Sequence, residues 1–397
     1  MRLIEKLILR WLVFAWIGTL LSISCPASDL ATGGVDLHAH LFFHEGIGLP
    51  LNSIFGGFSL PIAATSWRDR FRARVNAETL GQSGSAIVVV ALYAHPLFLG
   101  SQKDSIRRQI NEAEKFVAEH PEWIIARTPA QARGAIAAQR RVLILSLEGA
   151  SWILETEQDL HEFIDQRGIR IVTLLHFTDD EFGGPALLPG LPALVSPLAW
   201  VRSFFHASSS VEGEEVRLND RGLTERGREL VRSLLHRGVW LDLSHSSDQV
   251  QKEMIPMMVR AGQPPLFTHT ILRKTYHAER GIAAWQLEAV RNRQGVIGII
   301  PSEDMLTDTP VKPPCKGGVP AFLEQVRQMA SVVGFNALTV GTDINAPLQF
   351  LKPDCATEPA SRGFWQYGNL PALWKVFPQR LSVAQFIQTW SNVKPVP

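Results

Sequence analysis

Short runs of aliphatic and β-branched residues alternate with longer helix-like stretches along almost the whole chain from residue 33. This alternation is typical of βα units, in which parallel strands are linked by helices. Eight runs are predicted to be strands, at residues 35–40, 86–92, 142–148, 169–175, 239–243, 266–268, 296–300 and 338–341. Helices are predicted at residues 101–119, 158–166, 224–236, 247–260, 284–293 and 321–333. Eight such units favour an α/β fold of the (β/α)8 TIM barrel type.

An open, doubly wound sheet is the alternative arrangement of the same units. That fold usually carries a glycine-rich dinucleotide loop after its first strand, and no such loop follows an early strand here. Two connections are longer than a minimal barrel needs, at residues 42–85 and 177–222. Because the loops that follow barrel strands form the active-site face, both are predicted to be walls or lids of a site.

The composition is that of a globular protein. With 397 residues, 46% of them hydrophobic and 19% charged, the chain can bury a large core. Barrels of this length commonly form one domain, so we predict a single barrel domain over residues 28–397. The formal net charge is +1 and no basic run is present. We therefore expect no nucleic-acid partner.

The first 27 residues differ in character from the rest. Three basic side chains precede an apolar run at residues 11–23, and small residues follow it. This layout is typical of a secretory signal peptide. The apolar run is short for a membrane-spanning helix, which needs about 20 residues, and an uncleaved amino-terminal anchor is the alternative. Cys25 follows a stretch that loosely resembles a lipobox. We expect an exported protein that is periplasmic, secreted or anchored to the membrane through this segment or a lipid.

Export would bring Cys315 and Cys355 into an oxidising compartment, where a disulfide can persist. Both residues lie in loops rich in proline and glycine, and they are the only pair left if Cys25 is removed or lipidated. One hypothesis is therefore a Cys315–Cys355 disulfide. The alternative is two unrelated free thiols.

Polar side chains recur where the predicted strands end. His38 and His40 share one face of the first strand, because alternate residues of a strand point the same way. Glu148 ends an apolar run, where an unpaired carboxylate would be costly. Other strands end in His176, His245, His269 and Asp343. Singly, each such residue is more often structural. Together, five of the 12 histidines lie at strand ends, and with a bridging carboxylate they predict a hydrolytic site with one or two metal ions.

Several of these residues stand in longer motifs. The stretch at residues 224–231 leads to Asp-Leu-Ser-His-Ser-Ser at 242–247, and Phe-Thr-His at 267–269 and Val-Gly-Thr-Asp at 340–343 follow. In this order the chain resembles the membrane (renal-type) dipeptidase family, peptidase family M19, of the amidohydrolase superfamily. The resemblance covers residues 33–392 and is sharpest over 222–345. It implies a barrel with two divalent metal ions, zinc by preference, and a dipeptide substrate.

The resemblance also implies a ligand set for the metals. His38 and His40 would hold one ion, and His245 and His269 would hold the other. Glu148 would bridge the two ions.

Three further residues would act on the substrate according to the same resemblance. His176 would contact the substrate or its tetrahedral intermediate. Arg280 would bind the substrate carboxylate. Asp343 would take part in proton transfer and would hold the substrate amine.

One feature departs from the family pattern. The family typically has His-x-Asp on the first strand, where this chain has His38-Ala39-His40. Zinc accepts imidazole ligands, so metal binding is still expected, but the site gains one unit of positive charge. The loop at residues 177–184 also differs from the usual dipeptidase sequence.

A metal-dependent dipeptidase is therefore the main expectation. An amidohydrolase acting on a non-peptide amide or lactone is the first alternative, and a non-catalytic metal-binding envelope protein is the second. The sequence is compatible with a monomer or a homodimer.

Overall fold

A computed structural model of the chain describes residues 30–47, 58, 73–94, 100–188, 201, 210–211, 214–307, 315–348, 351–352, 354–355, 364 and 366–396. The predicted signal segment and lipobox lie outside these residues, as does much of the two long connections. In the part of the chain that is described, no helix is both long enough and apolar enough to cross a membrane.

The strands form one large sheet and one small hairpin. In chain order they are β1 (Gly34–Ala39), β2 (Ser85–Tyr93), β3 (Trp123–Ile125), β4 (Arg141–Glu148), β5 (Ile171–Thr173), β6 (Ser210–Val211), β7 (Glu214–Glu215), β8 (Trp240–Asp242), β9 (Leu266–Thr270), β10 (Val296–Ile299) and β11 (Leu338–Val340). Strand β3 pairs with β4 at the outside of the large sheet. Strands β6 and β7 pair only with each other among the described residues.

Eight parallel strands close into a barrel. Their order is β1, β2, β4, β5, β8, β9, β10 and β11, and β11 pairs with β1 to complete the ring. Each of the eight predicted runs overlaps one of these strands. The predicted (β/α)8 barrel is thus confirmed, and the open doubly wound sheet is excluded because the ring has no free edge between its first and last strands.

Helices connect and cover the strands. They are α1 (Phe43–Ile47), α2 (Ala77–Gln82), α3 (Gln102–Glu119), α4 (Pro129–Ala137), α5 (Glu157–Leu160), α6 (Glu225–His236), α7 (Asp248–Arg260), α8 (Arg273–Tyr276), α9 (Ala284–Asn292), α10 (Gly318–Val333), α11 (Leu370–Val376) and α12 (Val383–Trp390). The six predicted helices correspond to α3, to α5 with the π-helical turn His161–Gln166 that continues it, and to α6, α7, α9 and α10. The predicted long loop at residues 42–85 instead contains α1 and α2.

Helix α6 shows how local sequence allows a helix to pack against the loop after β5. Thr224 caps its amino terminus by accepting a hydrogen bond from the backbone N–H of Gly227. Its apolar residues recur at helical spacing and are buried against the barrel. A side chain at Gly227 would overlap the carbonyl oxygen of Phe182. Glycine at this position therefore lets the loop after β5 pack directly on the first turn of α6.

Cys315 and Cys355 form a disulfide, with their sulfurs 2.09 Å apart. This confirms the disulfide hypothesis over the two free thiols. The bridge joins the segment before α10 to the segment after β11. Glu303, which is buried after β10, links the same two segments, because its carboxylate accepts backbone N–H groups of Lys316 at 2.5 Å and Lys352 at 3.2 Å.

Candidate metal centre

Glu148 is the point at which the predicted metal ligands meet. It is the last residue of β4 and is buried. Its Oε1 lies 3.4 Å from Nε2 of His38, 3.2 Å from Nε2 of His245 and 3.2 Å from Nε2 of His269. Its Oε2 lies 3.2 Å from Nε2 of His40. The fold therefore brings all five sequence-predicted ligands together.

In each pair, the donor atoms of the two histidines are close enough together to bind one cation. Nε2 atoms lie 3.4 Å apart in the His38–His40 pair and 2.9 Å apart in the His245–His269 pair. Ligand atoms around a tetrahedral zinc ion, at bond lengths of about 2.0–2.1 Å, are about 3.3–3.4 Å apart. Each pair forms, with Glu148, a group that could hold one metal ion. Four imidazoles and one carboxylate thus fit two divalent cations of the zinc class.

Two site residues lie beyond the strand ends in an unusual backbone conformation. Strands β8 and β11 end three residues before His245 and Asp343, respectively. His245 has φ of 63° and Asp343 has φ of 51°, in the left-handed region that non-glycine residues rarely adopt. Such conformations concentrate at functional sites because the surrounding structure must hold them. Here His245 and Asp343, which have this conformation, are both candidate site residues at the barrel mouth.

The protonation states of Glu148, His245 and His269 favour metal binding. Burial opposes ionisation of Glu148, but the imidazoles around it outweigh burial and hold the pKa of Glu148 well below its usual range. Burial, assisted by neighbouring positive groups, holds the pKa of His245 and of His269 well below the usual value. Both rings are therefore neutral at neutral pH, which is the form that ligates a metal ion.

His40 has a different environment. Burial lowers its pKa, but the carboxylates of Asp343 and Glu148 outweigh burial and raise the pKa to about 10. Its Nε2 lies 3.2 Å from Asp343 Oδ1. Without metal, His40 is therefore a cation between two carboxylates, and a metal ion that binds its Nε2 must displace a proton.

His176 lies at the mouth of the site, three residues beyond the end of β5. Its Nε2 is 3.7 Å from Glu148 Oε2. Its ring contacts Tyr93 and Phe177, at centroid distances of 4.4 and 3.8 Å. Burial lowers the pKa of His176 to about 4, so the ring is neutral at neutral pH and can donate one hydrogen bond.

Arg280 is buried beside the second ligand pair. Its Nη2 donates to the carbonyl oxygen of His269 at 2.9 Å, and its backbone N–H donates to Leu187 at 3.2 Å. Burial lowers its pKa, while the nearby carboxylates of Asp343, Asp242 and Glu148 oppose that effect. An arginine stays protonated under these conditions, so a cation lies next to the candidate metal centre.

Sequence reasoning missed Glu279, which holds the segment that carries Arg280. Its buried carboxylate accepts backbone N–H groups of Leu187 at 2.9 Å, Asn219 at 2.7 Å and Asp248 at 2.9 Å. These groups belong to the long connection after β5 and to the first turn of α7. Burial, with the nearby Asp248 carboxylate, raises the pKa of Glu279 to about 8. Glu279 thus joins three segments around Arg280.

Asp36 was also missed, although residue parity could have found it. It precedes His38 by two positions on β1 and therefore faces the same side of the strand. Its carboxylate accepts the backbone N–H of His38 at 3.1 Å and of Thr342 at 3.0 Å. The hydroxyl of Tyr367 donates to it at 2.7 Å. Asp36 therefore connects the first ligand pair to the segment that carries Asp343.

Comparison with known proteins agrees with this picture. The sequence pattern of the family described as Membrane dipeptidase (Peptidase family M19) matches residues 191–352, a region that contains His245, His269, Arg280 and Asp343. An uncharacterized dipeptidase of Schizosaccharomyces pombe is 24% identical over 154 residues, which are 39% of this chain and 30% of that protein. The match therefore spans less than a third of this relative's length.

Solved structures extend the likeness to the whole barrel. The dipeptidase AC, a metallopeptidase of family M19, is 18% identical with a TM-score of 0.66, over 92% of this chain and 100% of that chain. A metallopeptidase from Rhodobacter sphaeroides, liganded with a phosphinate mimic of the dipeptide L-Ala-D-Ala, is 17% identical with a TM-score of 0.66, over 91% of this chain and 99% of that chain. The family pattern thus matches residues 191–352 of this chain, and these solved structures share its barrel fold.

Proposed function

We propose that this protein is a metal-dependent dipeptidase. The observation that carries the proposal is the arrangement of two imidazole pairs around one buried carboxylate at the mouth of the barrel. That donor set suits hydrolysis, and the family match supports a peptide bond as its target. The convergence of all five candidate ligands also speaks against a binding protein that has lost catalysis.

The proposed cofactors are two divalent cations, zinc by the nature of the donors. His38 and His40 would hold one ion, His245 and His269 would hold the other, and Glu148 would be shared. When bound, the cations supply Lewis acidity toward the scissile carbonyl and make water nucleophilic near neutral pH.

Asp343 is the proposed proton carrier. Its carboxylate is 13% exposed, so it can reach a substrate, and its Oδ1 lies beside Nε2 of His40 at 3.2 Å. A carboxylate in this position can take a proton from water and deliver it to the leaving amine. Neutral His176 can donate a hydrogen bond to the oxyanion that develops on the carbonyl oxygen.

Arg280 is the proposed binding group for the substrate carboxylate. One of its guanidinium nitrogens is held by the His269 carbonyl, which orients the planar fork beside the centre. A guanidinium in a fixed orientation recognises a carboxylate through two parallel hydrogen bonds. The ligand of the Rhodobacter sphaeroides relative, a dipeptide mimic, supports a dipeptide with a free carboxylate as the substrate class.

A second candidate function is hydrolysis of a non-peptide amide or a lactone. It is favoured by His40, which replaces the anionic ligand typical of the family and so leaves the site with more positive charge.

We expect zinc-loaded protein to hydrolyse dipeptides and to lose turnover when the metals are removed. A panel of L,L- and L,D-dipeptides, their carboxyl-terminal amides, N-acyl amino acids and lactones would be assayed with metal-free and reconstituted protein. The free dipeptides should be hydrolysed much faster than their amides, because only the former can pair with Arg280. The Arg280→Ala variant should no longer distinguish the two forms.

Two results would contradict the proposal. Hydrolysis of dipeptides by metal-free protein at the reconstituted rate would exclude the metal-dependent reaction. Turnover of lactones with no turnover of any dipeptide would favour the second candidate function instead.

We further propose that the protein is exported. The basic and apolar amino-terminal pattern supports this, and so does the Cys315–Cys355 disulfide, because such bonds persist in oxidising compartments. Mass spectrometry of protein isolated from its native cells should find an amino terminus near residue 27, or an intact anchored segment in the membrane fraction. Full-length protein in the cytosolic fraction would contradict export.

A further inference from the structure

Thr268 lies between ligands of the two different pairs. Its Oγ1 is 3.1 Å from Nδ1 of His38 and 3.0 Å from Nδ1 of His269. All three side chains are fully buried. His38 belongs to the first ligand pair and His269 to the second, so one hydroxyl contacts one ligand of each pair.

The hydroxyl of Thr268 donates its proton in a hydrogen bond to Asp242. Thr268 Oγ1 donates to Asp242 Oδ2 at 2.6 Å, and Thr173 Oγ1 donates to the same oxygen at 2.6 Å. Asp242 Oδ1 accepts the backbone N–H groups of Thr268 at 2.9 Å and Ser244 at 3.0 Å. Four donors thus surround the carboxylate, which has about four lone-pair positions to offer. The Thr268 oxygen keeps its own two lone pairs for the rings.

Both rings must then donate from Nδ1. A hydroxyl has one proton and two acceptor positions, and the proton is already used. Each Nδ1 at hydrogen-bonding distance therefore carries a hydrogen, which leaves the lone pair of each ring on Nε2. Those Nε2 atoms face Glu148 Oε1 at 3.4 Å for His38 and 3.2 Å for His269. This is the tautomer that binds a metal ion through Nε2.

The other ligand of each pair has no such support. The Nδ1 atoms of His40 and His245 are buried and have no hydrogen-bond partner among the residues that the structure describes. Each pair therefore combines one ring that is anchored at Nδ1 with one that is not. The anchored ring of both pairs depends on Thr268.

We propose that Thr268 is a positioning residue shared by the two metal sites. Its hydroxyl sets the tautomer and orientation of His38 and His269, so the affinities for both ions depend on this one side chain. This inference rests on the proposed function, because it requires both ligand pairs to bind metal.

Zinc affinity of Thr268→Val and Thr268→Ser tests the proposal. Valine has nearly the shape of threonine and suits a strand, but it lacks the hydroxyl, whereas serine retains it. Chelator competition with metal-free protein should show that Thr268→Val weakens both sites together by about 10–100-fold, the usual effect of losing a partner of a ligating histidine. Thr268→Ser should stay close to wild type.

Thr339→Val is the matched control. Thr339 is a buried strand threonine whose hydroxyl donates to the Val35 carbonyl at 2.5 Å. Its replacement also removes one buried hydroxyl from the barrel but touches neither ring. Its zinc affinity should equal that of the wild type.

A second measurement needs no variant. Two-bond ¹H–¹⁵N spectra of ¹⁵N-histidine-labelled, metal-free protein distinguish the two imidazole tautomers. His38 and His269 should both appear protonated on Nδ1 and not on Nε2. This arm remains informative if Thr268→Val does not fold.

The outcomes separate the inference from the function on which it rests. Wild-type protein that binds no zinc overturns the proposed function and this inference with it. Wild-type protein that binds two zinc ions, with Thr268→Val unchanged or weakened at one site only, overturns the shared role alone. An Nε2–H tautomer at either ring in the metal-free wild type also overturns it.

Discussion

Replacing Glu148 with glutamine should abolish hydrolysis and prevent full occupancy of both metal sites. Glu148 is the only carboxylate within 3.5 Å of all four candidate imidazole ligands in the described part of the chain. An amide would keep the shape but remove the negative charge that two cations share. We expect turnover to fall by roughly 10⁴-fold or more, as for residues that act together with other catalytic groups. Steady-state assays and metal analysis after dialysis would measure both effects.

Glu303→Gln is the control for this experiment. Glu303 is also a buried glutamate that follows a barrel strand, but its carboxylate accepts backbone N–H groups near the disulfide. It should retain two metal ions and near-normal turnover, even if it loses some stability. A Glu148→Gln protein that binds two ions and hydrolyses dipeptides at the wild-type rate would refute the bridging role.

Removing Asp248 should destabilise the protein by about 3–5 kcal/mol, the usual cost of leaving a buried charge without its partner. Asp248 and Arg273 are only 1% and 3% exposed. Arg273 donates to both carboxylate oxygens, at 2.9 Å from Nη1 and 2.7 Å from Nη2. In Asp248→Ala the guanidinium would remain buried with only neutral carbonyl partners. Denaturant unfolding of metal-free protein would measure the change in free energy.

The double variant Asp248→Leu with Arg273→Met separates the charge from the packing. Replacing a buried ion pair by apolar residues of similar volume is often neutral or stabilising, so the double variant should be much more stable than Asp248→Ala alone. Equal losses of stability in both variants would mean that packing, and not the unpaired charge, determines the stability of this region.

Arg273 also donates to the carbonyls of Gly281 and Glu279, which flank Arg280. Substrate binding should therefore weaken in the single variant.

Long helices with a clear apolar period were predicted from the sequence, whereas short elements with a weak or absent local pattern were missed. Helix α3 is long and its apolar residues follow a clear helical period, so it was predicted to within one residue. Helix α4 is short and alanine-rich, and its apolar face is weak. It was therefore not predicted, although Thr128 caps it and a proline follows the cap. Strand β3 has three residues and pairs with β4. No local pattern encodes such a pairing.

The residues of the candidate site also differ in how well the sequence predicted them. The metal ligands could be predicted because each follows an apolar strand, and parallel strands in a barrel bring their carboxyl ends to one face. Of the residues that hold them, Asp36 could have been found from its parity with His38, but Thr268 and Glu279 could not. Thr268 meets His38 across 230 positions of sequence, and Glu279 meets Leu187 across 92. Threonine and glutamate at such positions are common, and the adjacent predicted residues His269 and Arg280 do not reveal contacts with segments that are distant in sequence.

By itself, then, the sequence determined the barrel, the ring of strand-end ligands and the family resemblance, because all three depend on local periodicity and short motifs. Only the tertiary structure decided how the ligands are held. It placed one hydroxyl between two imidazoles, set His40 between two carboxylates and joined Cys315 to Cys355. The first two contacts arise from the closure of the ring, which brings together side chains that are distant in sequence.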